Sequence, residues 1–364
     1  MVENKIASKF PKREEGKLNI YFHLGENSGV GYYRQYLPAI ALRELGLANV
    51  MISDFRWGIG NHQEPDVDML FEIANWADVI VAGRRDLAQF YAQWGAVREM
   101  FRVPIILDTD DNIRAVPIYN PGYQGYQPGS DALAWNQYAS QKTFDAISVT
   151  TQDLFSVYAK ENPRTYILAN SLDCEAWEKA QRPTKGDVVK IGFIGSAAHL
   201  GGVNIVRQAI VDILKKYINV EFYITHVYLP SFDDVEPGIR ERIKPVPWIN
   251  LEEWPQGLKG LGLDIGLAPL EDNLFNRSKS NLRWMEYSMA GMATVASPVK
   301  PYLCIKDGED GLLATEKKDW FDAIDKLLSN PELCYTISQK ARQRVLREFD
   351  ILKNVPKWLE TYKK

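Results

Sequence analysis

The sequence predicts an α/β protein of two domains, each built on a parallel sheet with helices on its faces. Two observations carry this. Short apolar runs of strand length alternate with longer amphipathic segments along the whole chain, the pattern of repeated β-α-β units. That alternation stops in Ser171–Asp187, a stretch holding Pro183, Lys185 and Gly186, and restarts at VVKIGFIGS. A chain of 364 residues is long enough for two full cores. Both halves therefore read as Rossmann-like, over residues 1–182 and 183–349, with 350–364 as a closing helix.

The first half opens on a loose polar arm, residues 1–17. LNIYFHL is a buried strand, followed by the glycine loop GENSGVG and a helix, YYRQYLPAIALREL, which Pro38 should kink. Strand VMIS, helix DVDMLFEIANW, strand DVIVA, helix DLAQFYAQWGAVREM and strand VPIIL follow. The connection Ile113–Ser130, rich in Pro, Gly and Tyr, is long for a compact domain and marks a functional loop. Helix DALAWNQYASQKTF, strand AISVT, helix TQDLFSVYAK and strand TYILAN bring this half to about six parallel strands. The second half runs VVKIGFIGS, a helix from Gly202, strand VEFYIT, a Pro-rich loop and WINLEEWPQGLKGL. After the stretch Asp264–Ser297 come GLLAT, the helices KDWFDAIDKLL and PELCYTISQKARQRVLREF, and the amphipathic ILKNVPKWLETYKK.

Composition narrows the function classes. Net charge is −4 and pI about 5.8, so no overall basic surface points to nucleic acid, though a local groove is not excluded. The three cysteines, Cys174, Cys304 and Cys334, are odd in number and show neither disulfide nor zinc spacing. The basic N-terminus lacks the apolar core of a signal peptide, and no apolar run approaches ~18 residues. The expectation is a soluble, cytoplasmic protein without a transmembrane segment; the sequence does not fix its oligomeric state. No Ser/His/Asp or Cys/His array supports a hydrolase triad.

Chemistry concentrates in DIGLAPLEDNLFNRSKSNLRWMEYSMAGMATVAS, residues 264–297. It reads as a strand (Asp264–Ala268), a polar loop, a helix capped by Ser278 or Ser280, a stop at Gly291, and a second strand (Ala293–Ala296). Arg277, Lys279, Ser280 and Asn281 then sit at the helix start, where the dipole already favours an anion; the alternative is a solvated cap with exposed basic residues. At 100° per residue Leu282, Met285 and Met289 share a face, and Glu286 falls on that apolar side, where a carboxylate is costly unless something donates to it. Arg283, about 60° away, is read as a possible surface partner for Glu286. A nucleoside diphosphate would satisfy both features, with phosphates at the helix start and ribose hydroxyls on Glu286.

The same residues resemble the donor-binding stretch of retaining GT-B glycosyltransferases, a Glu-x7-Glu element followed by A-x-G-x-P-V-I-A. The second glutamate falls on Glu286 and the first on Ser278, a departure shared with spore-maturation-type and phage-encoded members of the family 4-like group, where an S-K-S-N segment stands there. The resemblance is strongest from Gly192 to Gly311. It implies two Rossmann-like domains facing across a cleft, with the terminal helix returning to the first. It also implies transfer of a sugar with retention of configuration from a nucleotide-sugar, UDP-sugar favoured and GDP-sugar as the alternative, with no Mg²⁺ or Mn²⁺ required. Arg277 and Lys279 would stabilise the departing diphosphate, in place of a G-R-x-x-x-x-K-G pattern that is missing here. Gly195 and Ser196 of GFIGSAAHLGG would face the diphosphate, with His199 as a loop residue, and Trp248 would meet the nucleobase unless it is a packed core tryptophan.

On the first half, the loop NSGVGYYR would approach the sugar at Gly29 and Gly31 and present Tyr32, Tyr33 and Arg34 to the acceptor; a core role for Tyr33 is equally open. It is not a dinucleotide fingerprint, and Asp54 is only a possible ribose ligand. DTDDN, residues 108–112, has two readings: an Asp-x-Asp chelate, or a cleft loop in which Asp110 or Asp111 orients sugar or acceptor and Asp110 handles a proton. Arg84 would line the cleft or lie at the surface, and Asn170 matches a family asparagine at the domain seam. The acceptor stays open between a glycan, a protein, a small molecule and a hydroxymethylated DNA base flipped from its helix. A non-catalytic nucleotide-sugar-binding protein is the alternative of another class.

Overall fold

A computed structural model of the chain describes residues 10–26, 28–53, 67–196 and 200–364. The chain forms two compact units: Met1–Arg114, Gly125–Leu172 and Ile351–Lys364 make the first, Ala115–Gln124 and Asp173–Asp350 the second. The main run of the second unit thus starts at Asp173, and the unit also takes in part of the long connection after Ile113.

The first unit holds β1 (Asn19–His23), β2 (Asn49–Ile52), β3 (Val79–Gly83), β4 (Ile105–Thr109), β5 (Ala146–Val149) and β6 (Thr165–Ile167). All pair in parallel in the order β2-β1-β3-β4-β5-β6. Connections leave in opposite directions from β1 and β3, so a crevice opens beyond their carboxyl ends. There Gly25 and Gly83 pack backbone to backbone: a Cβ on either would come within 2.5 Å of the other's main chain. The expected kinked helix divides into a π-type turn, Tyr32–Tyr36, and an α-helix, Leu37–Glu44, with Pro38 in its first turn. Pro38 has no N–H to return to the carbonyl four residues back, and the wider π turn absorbs the misfit. The closing helix, Ile351–Tyr362, packs into this unit: Trp358 lies under Arg34 at 4.6 Å and Tyr362 meets Phe22 edge-on at 5.9 Å.

The second unit holds β7 (Val189–Phe193), β8 (Val220–Thr225), β9 (Ile243–Val246), β10 (Ile265–Ala268), β11 (Ala293–Ala296) and β12 (Leu312–Leu313). Their order is β12-β11-β10-β7-β8-β9, again all parallel, with the reversal between β7 and β10. Buried Val, Ile, Leu and Phe from these strands pack against helices Leu200–Lys216 and Lys317–Ser329. Among the described residues no helix is long and apolar enough to cross a membrane.

Candidate functional site

In the second unit the carboxyl ends of β7 and β10 are tied together by one side chain. Tyr287 Oη accepts from Ile194 N at 3.1 Å and lies 3.3 Å from Leu267 O. Its ring occupies the space a side chain on Gly266 would need: a Cβ there would stand 2.3 Å from Tyr287 Cδ2. Tyr287 belongs to helix Leu282–Met289, whose N-cap is Asn281 and whose end is a Schellman turn, with Met292 N donating to Tyr287 O (3.0 Å) and Gly291 N to Ser288 O (3.1 Å). Gly291 takes φ +82°, as that turn demands. The helix is buried on all sides from Arg283 to Met289.

This arrangement corrects the expected helix start. Neither Ser278 nor Ser280 caps the helix, because a separate short helix, Leu274–Arg277, precedes it and Ser278 Oγ donates back to Leu274 O. Arg277 ends that short helix, exposed, with its guanidinium bidentate to Asp272 at 2.5 and 2.8 Å. Lys279 is half-buried two residues before the cap, its Nζ 4.3 Å from the centroid of the Phe275 ring. Ser280 and Asn281 are half-buried beside it, and Asn281 Nδ2 reaches Cys304 Sγ at 3.5 Å.

Glu286 is buried, and the donor its position demands is Trp254, whose indole Nε1 reaches Oε1 at 2.7 Å. Arg283, for which the sequence leaves open a surface pairing with Glu286, is buried instead. It is 9% exposed, its guanidinium lies 5.4 Å over the Phe193 ring, and its NH1 has no hydrogen-bond partner among the described residues. Burial opposes its charge, but Tyr287, Tyr302, Tyr228 and Glu286 around it hold it protonated. Arg283 in turn restrains the Tyr302 phenol, which burial pushes up to about 12. A buried guanidinium with an unused donor at a sheet's switch point has the chemistry to receive an anion. Gly195 and Ser196 share this edge: Gly195 N donates to Thr225 Oγ1 at 3.0 Å, and Ser196 O accepts from Tyr228 Oη. Trp248 follows β9 and is 63% exposed, which rules out the packed-core alternative. His199 lies outside the described residues.

In the first unit the expected acceptor-side residues divide. Arg34 is not at a rim. It is fully buried and saturated: Nε and NH2 clasp Asp108 at 2.9 and 2.8 Å, and NH1 donates to Leu168 O (2.5 Å) and Asn170 Oδ1 (3.0 Å). Gln35 Nε2 and Ser148 Oγ add 3.0 and 2.5 Å bonds to Asp108, so a chelate using Asp108 would have to break this network. Tyr33 is also buried, with Tyr32 half-buried edge-on to it at 5.0 Å. At Gly31 a side chain does not fit: a Cβ there would strike Glu26 O at 2.1 Å. Asn27 and Asp54 lie outside the described residues.

Asp110 and Asp111, just past β4, are half-buried. Asp110 Oδ1 is buried without a hydrogen-bond partner among the described residues. Burial, reinforced by Asp111 and Glu26 and only partly offset by Arg34 and Arg84, pushes its carboxyl up to about 7. Such an acid exchanges a proton near neutrality. Arg84 is neither at the surface nor idle: it is buried, ion-paired with Asp86, within 2.7 Å of Tyr126 Oη and 3.5 Å from Glu26. Asp86 is held further by Tyr91 Oη (2.6 Å) and Asn136 Nδ2 (3.0 Å). No motif marked Asp86; only the fold brings its partners together. Among the described residues no group of three or more His, Cys, Asp or Glu is arranged to hold a metal ion.

Residues 248–360 match the family model described as glycosyl transferase-like, which is less than half of the chain. No curated protein sequence matches. Solved structures match over nearly the whole chain. Anabaena Alr3699/HepE in complex with UDP-glucose is 12% identical, with TM-score 0.67, covering 94% of this chain and 99% of that one. Sucrose-phosphate synthase from Thermosynechococcus elongatus is 14% identical, TM-score 0.66, covering 95% and 98%. A glycosyltransferase from Rickettsia africae is 13% identical, TM-score 0.64, covering 96% and 98%. At these identities the likeness establishes the fold alone: two α/β units, each on a parallel six-stranded sheet, as in GT-B glycosyltransferases.

Proposed function

We propose that the protein is a glycosyltransferase that takes a sugar from a nucleotide-sugar, a UDP-sugar in preference to a GDP-sugar, and places it on an acceptor hydroxyl. The observation that carries this is the buried Arg283 with its unused NH1 at the β7–β10 switch point, next to the Gly195–Ser196 turn. The match of residues 248–360 to a glycosyl transferase-like family supports it, as does the UDP-glucose held by a structural neighbour.

In this reading the second unit holds the donor. Arg283 and Lys279 receive the negative charge that builds on the diphosphate as the glycosidic bond breaks, Glu286 takes the ribose hydroxyls, and Trp248 stacks on the base. Fixed cations do the work a metal ion would otherwise do, so we propose a metal-independent transfer, with retention of configuration. Asp110 of the first unit takes the acceptor proton or a sugar hydroxyl, and Asp111 stands beside it. Arg277, bound to Asp272, is secondary to Arg283 in this scheme.

The test is a titration with UDP, GDP and their sugars followed by thermal shift, since a ligand of the folded state raises Tm. It is paired with an assay of sugar release. Lys279→Ala should lower kcat by about 10²-fold with unchanged circular dichroism. Undiminished turnover in that variant removes Lys279 from the scheme. Tight UDP binding without sugar release to water or any acceptor would mean binding without catalysis.

A further inference from the structure

The second unit carries a cavity of about 420 Å³ at the opposite end of its sheet, where β10 and β11 begin. Four cations line it, Arg182, Lys185, Lys259 and Arg342, against one lining carboxylate, Asp264. Arg182 is spent on structure: it bonds Gly291 O (2.7 Å), Leu263 O (2.9 Å) and Asp264 (3.0 Å). Lys185 reaches the same carboxylate only at 3.4 Å and is 60% exposed. Arg342 pairs with Glu178 at 2.6 Å. Lys259 donates to a neutral acceptor, Trp177 O, at 2.8 Å. Burial and the neighbouring Arg342 and Arg182 pull its ammonium below the usual lysine range, against the weaker opposing effect of Glu178. Positive charge therefore exceeds negative in a concave site, where the field is focused.

Beside the charges the wall is apolar, from Met289, Ala290 and Cys334, with the exposed Tyr335 ring among the lining residues. Bare phosphate would leave most of this volume unfilled. We propose that this cavity binds a phosphate-bearing small molecule, the phosphate against Lys185, Lys259 and Arg342 and the organic body against Tyr335 and the apolar wall. Pockets of a few hundred Å³ with a few convergent polar groups are of the size that takes such ligands. The site is separate from the Arg283 region: helix Leu282–Met289 carries Arg283 near its start and ends at the cavity. It does not depend on the donor assignment.

The experiment is calorimetric titration in chloride buffer, with and without saturating UDP, using ribose 5-phosphate and inorganic phosphate as probes. Flotation with phosphatidylglycerol vesicles in a phosphatidylcholine background tests a lipid headgroup as the source of the phosphate. Expected is saturable binding of ribose 5-phosphate, tighter than inorganic phosphate and unaffected by UDP. It should weaken about tenfold or more in Lys185→Gln/Lys259→Gln. Vesicle binding lost in the same variant would assign the phosphate to a lipid. Lys185→Gln alone, at an exposed side chain, keeps the test readable if the double variant fails to fold. The proposal is overturned if neither probe nor vesicle binds, if the variants bind as well as the parent, or if UDP displaces the probe.

Discussion

Two buried arginines show opposite logic at the scale of single residues. Arg34 is matched on every side by Asp108, Leu168 O and Asn170, so Arg34→Met should cost about 3–5 kcal/mol by stranding Asp108 without a counter-charge. Arg283 has no such saturation at NH1, and Arg283→Met should leave the protein as stable or raise stability by about 1–4 kcal/mol, while UDP binding weakens at least about tenfold. Denaturant melts and UDP titrations of both variants check the pair; destabilisation by Arg283→Met would mean that the guanidinium serves the fold. Asp110 adds a pH signature. Its carboxyl titrates near 3.8 unfolded and about 7 folded, so the stability it contributes is fully present below about 3.8, drains away as the unfolded chain ionises first, and is gone once pH has risen through about 7. Asp110→Asn should therefore match the parent's Tm at pH 4 and exceed it at pH 8. It should also abolish the limb of the activity profile that rises near pH 7; equal Tm differences at both pH values would remove Asp110 as a neutral buried acid. The sequence singled out Glu286 correctly as a buried acid because 100° steps put it on the apolar side. The same periodicity hid Arg283: helix Leu282–Met289 is buried all round, so no polar face exists to be read.

At the scale of elements, the link between β7 and β10 runs through Tyr287 and depends on the bare backbone of Gly266. Gly266→Ala must push the Tyr287 ring off its place, because a Cβ would lie 2.3 Å from Cδ2, and overpacking of this kind costs about 1–3 kcal/mol. The ring shares its helix with Arg283 and Glu286, so donor affinity should fall along with Tm. Measuring UDP binding and melting on this one variant checks the coupling; a loss of stability with unchanged UDP affinity would show that the helix tolerates the shift. Most strands were legible as apolar runs, and the Gly291 stop was legible from a glycine before a β-branched run. β9 was not, because IKPV contains Pro245 and reads as loop. The fold accommodates it because β9 is an edge strand, where one missing ladder donor faces outward. The helix cap moved to Asn281 for a comparable reason: the sequence cannot say that Leu274–Arg277 closes its own turn first.

At the scale of the molecule, the chain leaves the first unit and returns to it for its last element. Each unit has its own buried cluster, one around Tyr21, Trp94 and Leu107 and the other around Phe193, Phe222 and Trp320. The restart of the β-α alternation made the two-sheet plan readable, whereas the transfer of residues 115–124 to the second unit left no mark in periodicity. Helix Ile351–Tyr362 is distant in sequence from everything it touches in the first unit. It supplies Trp358 under the Arg34 guanidinium at 4.6 Å, Tyr362 against Phe22, and Asn354 Nδ2 to Ser171 Oγ at 3.0 Å. Removing it would open the Arg34–Asp108 network to water and strip apolar cover from the helix that carries Pro38. A chain ending at Asp350 should therefore lose the calorimetric transition and amide protection of β1 and β4, while β7, β10 and the UDP-dependent rise in Tm persist. Uniform loss of protection in both sheets would show instead that the units unfold as one and that the closing helix supports the whole molecule.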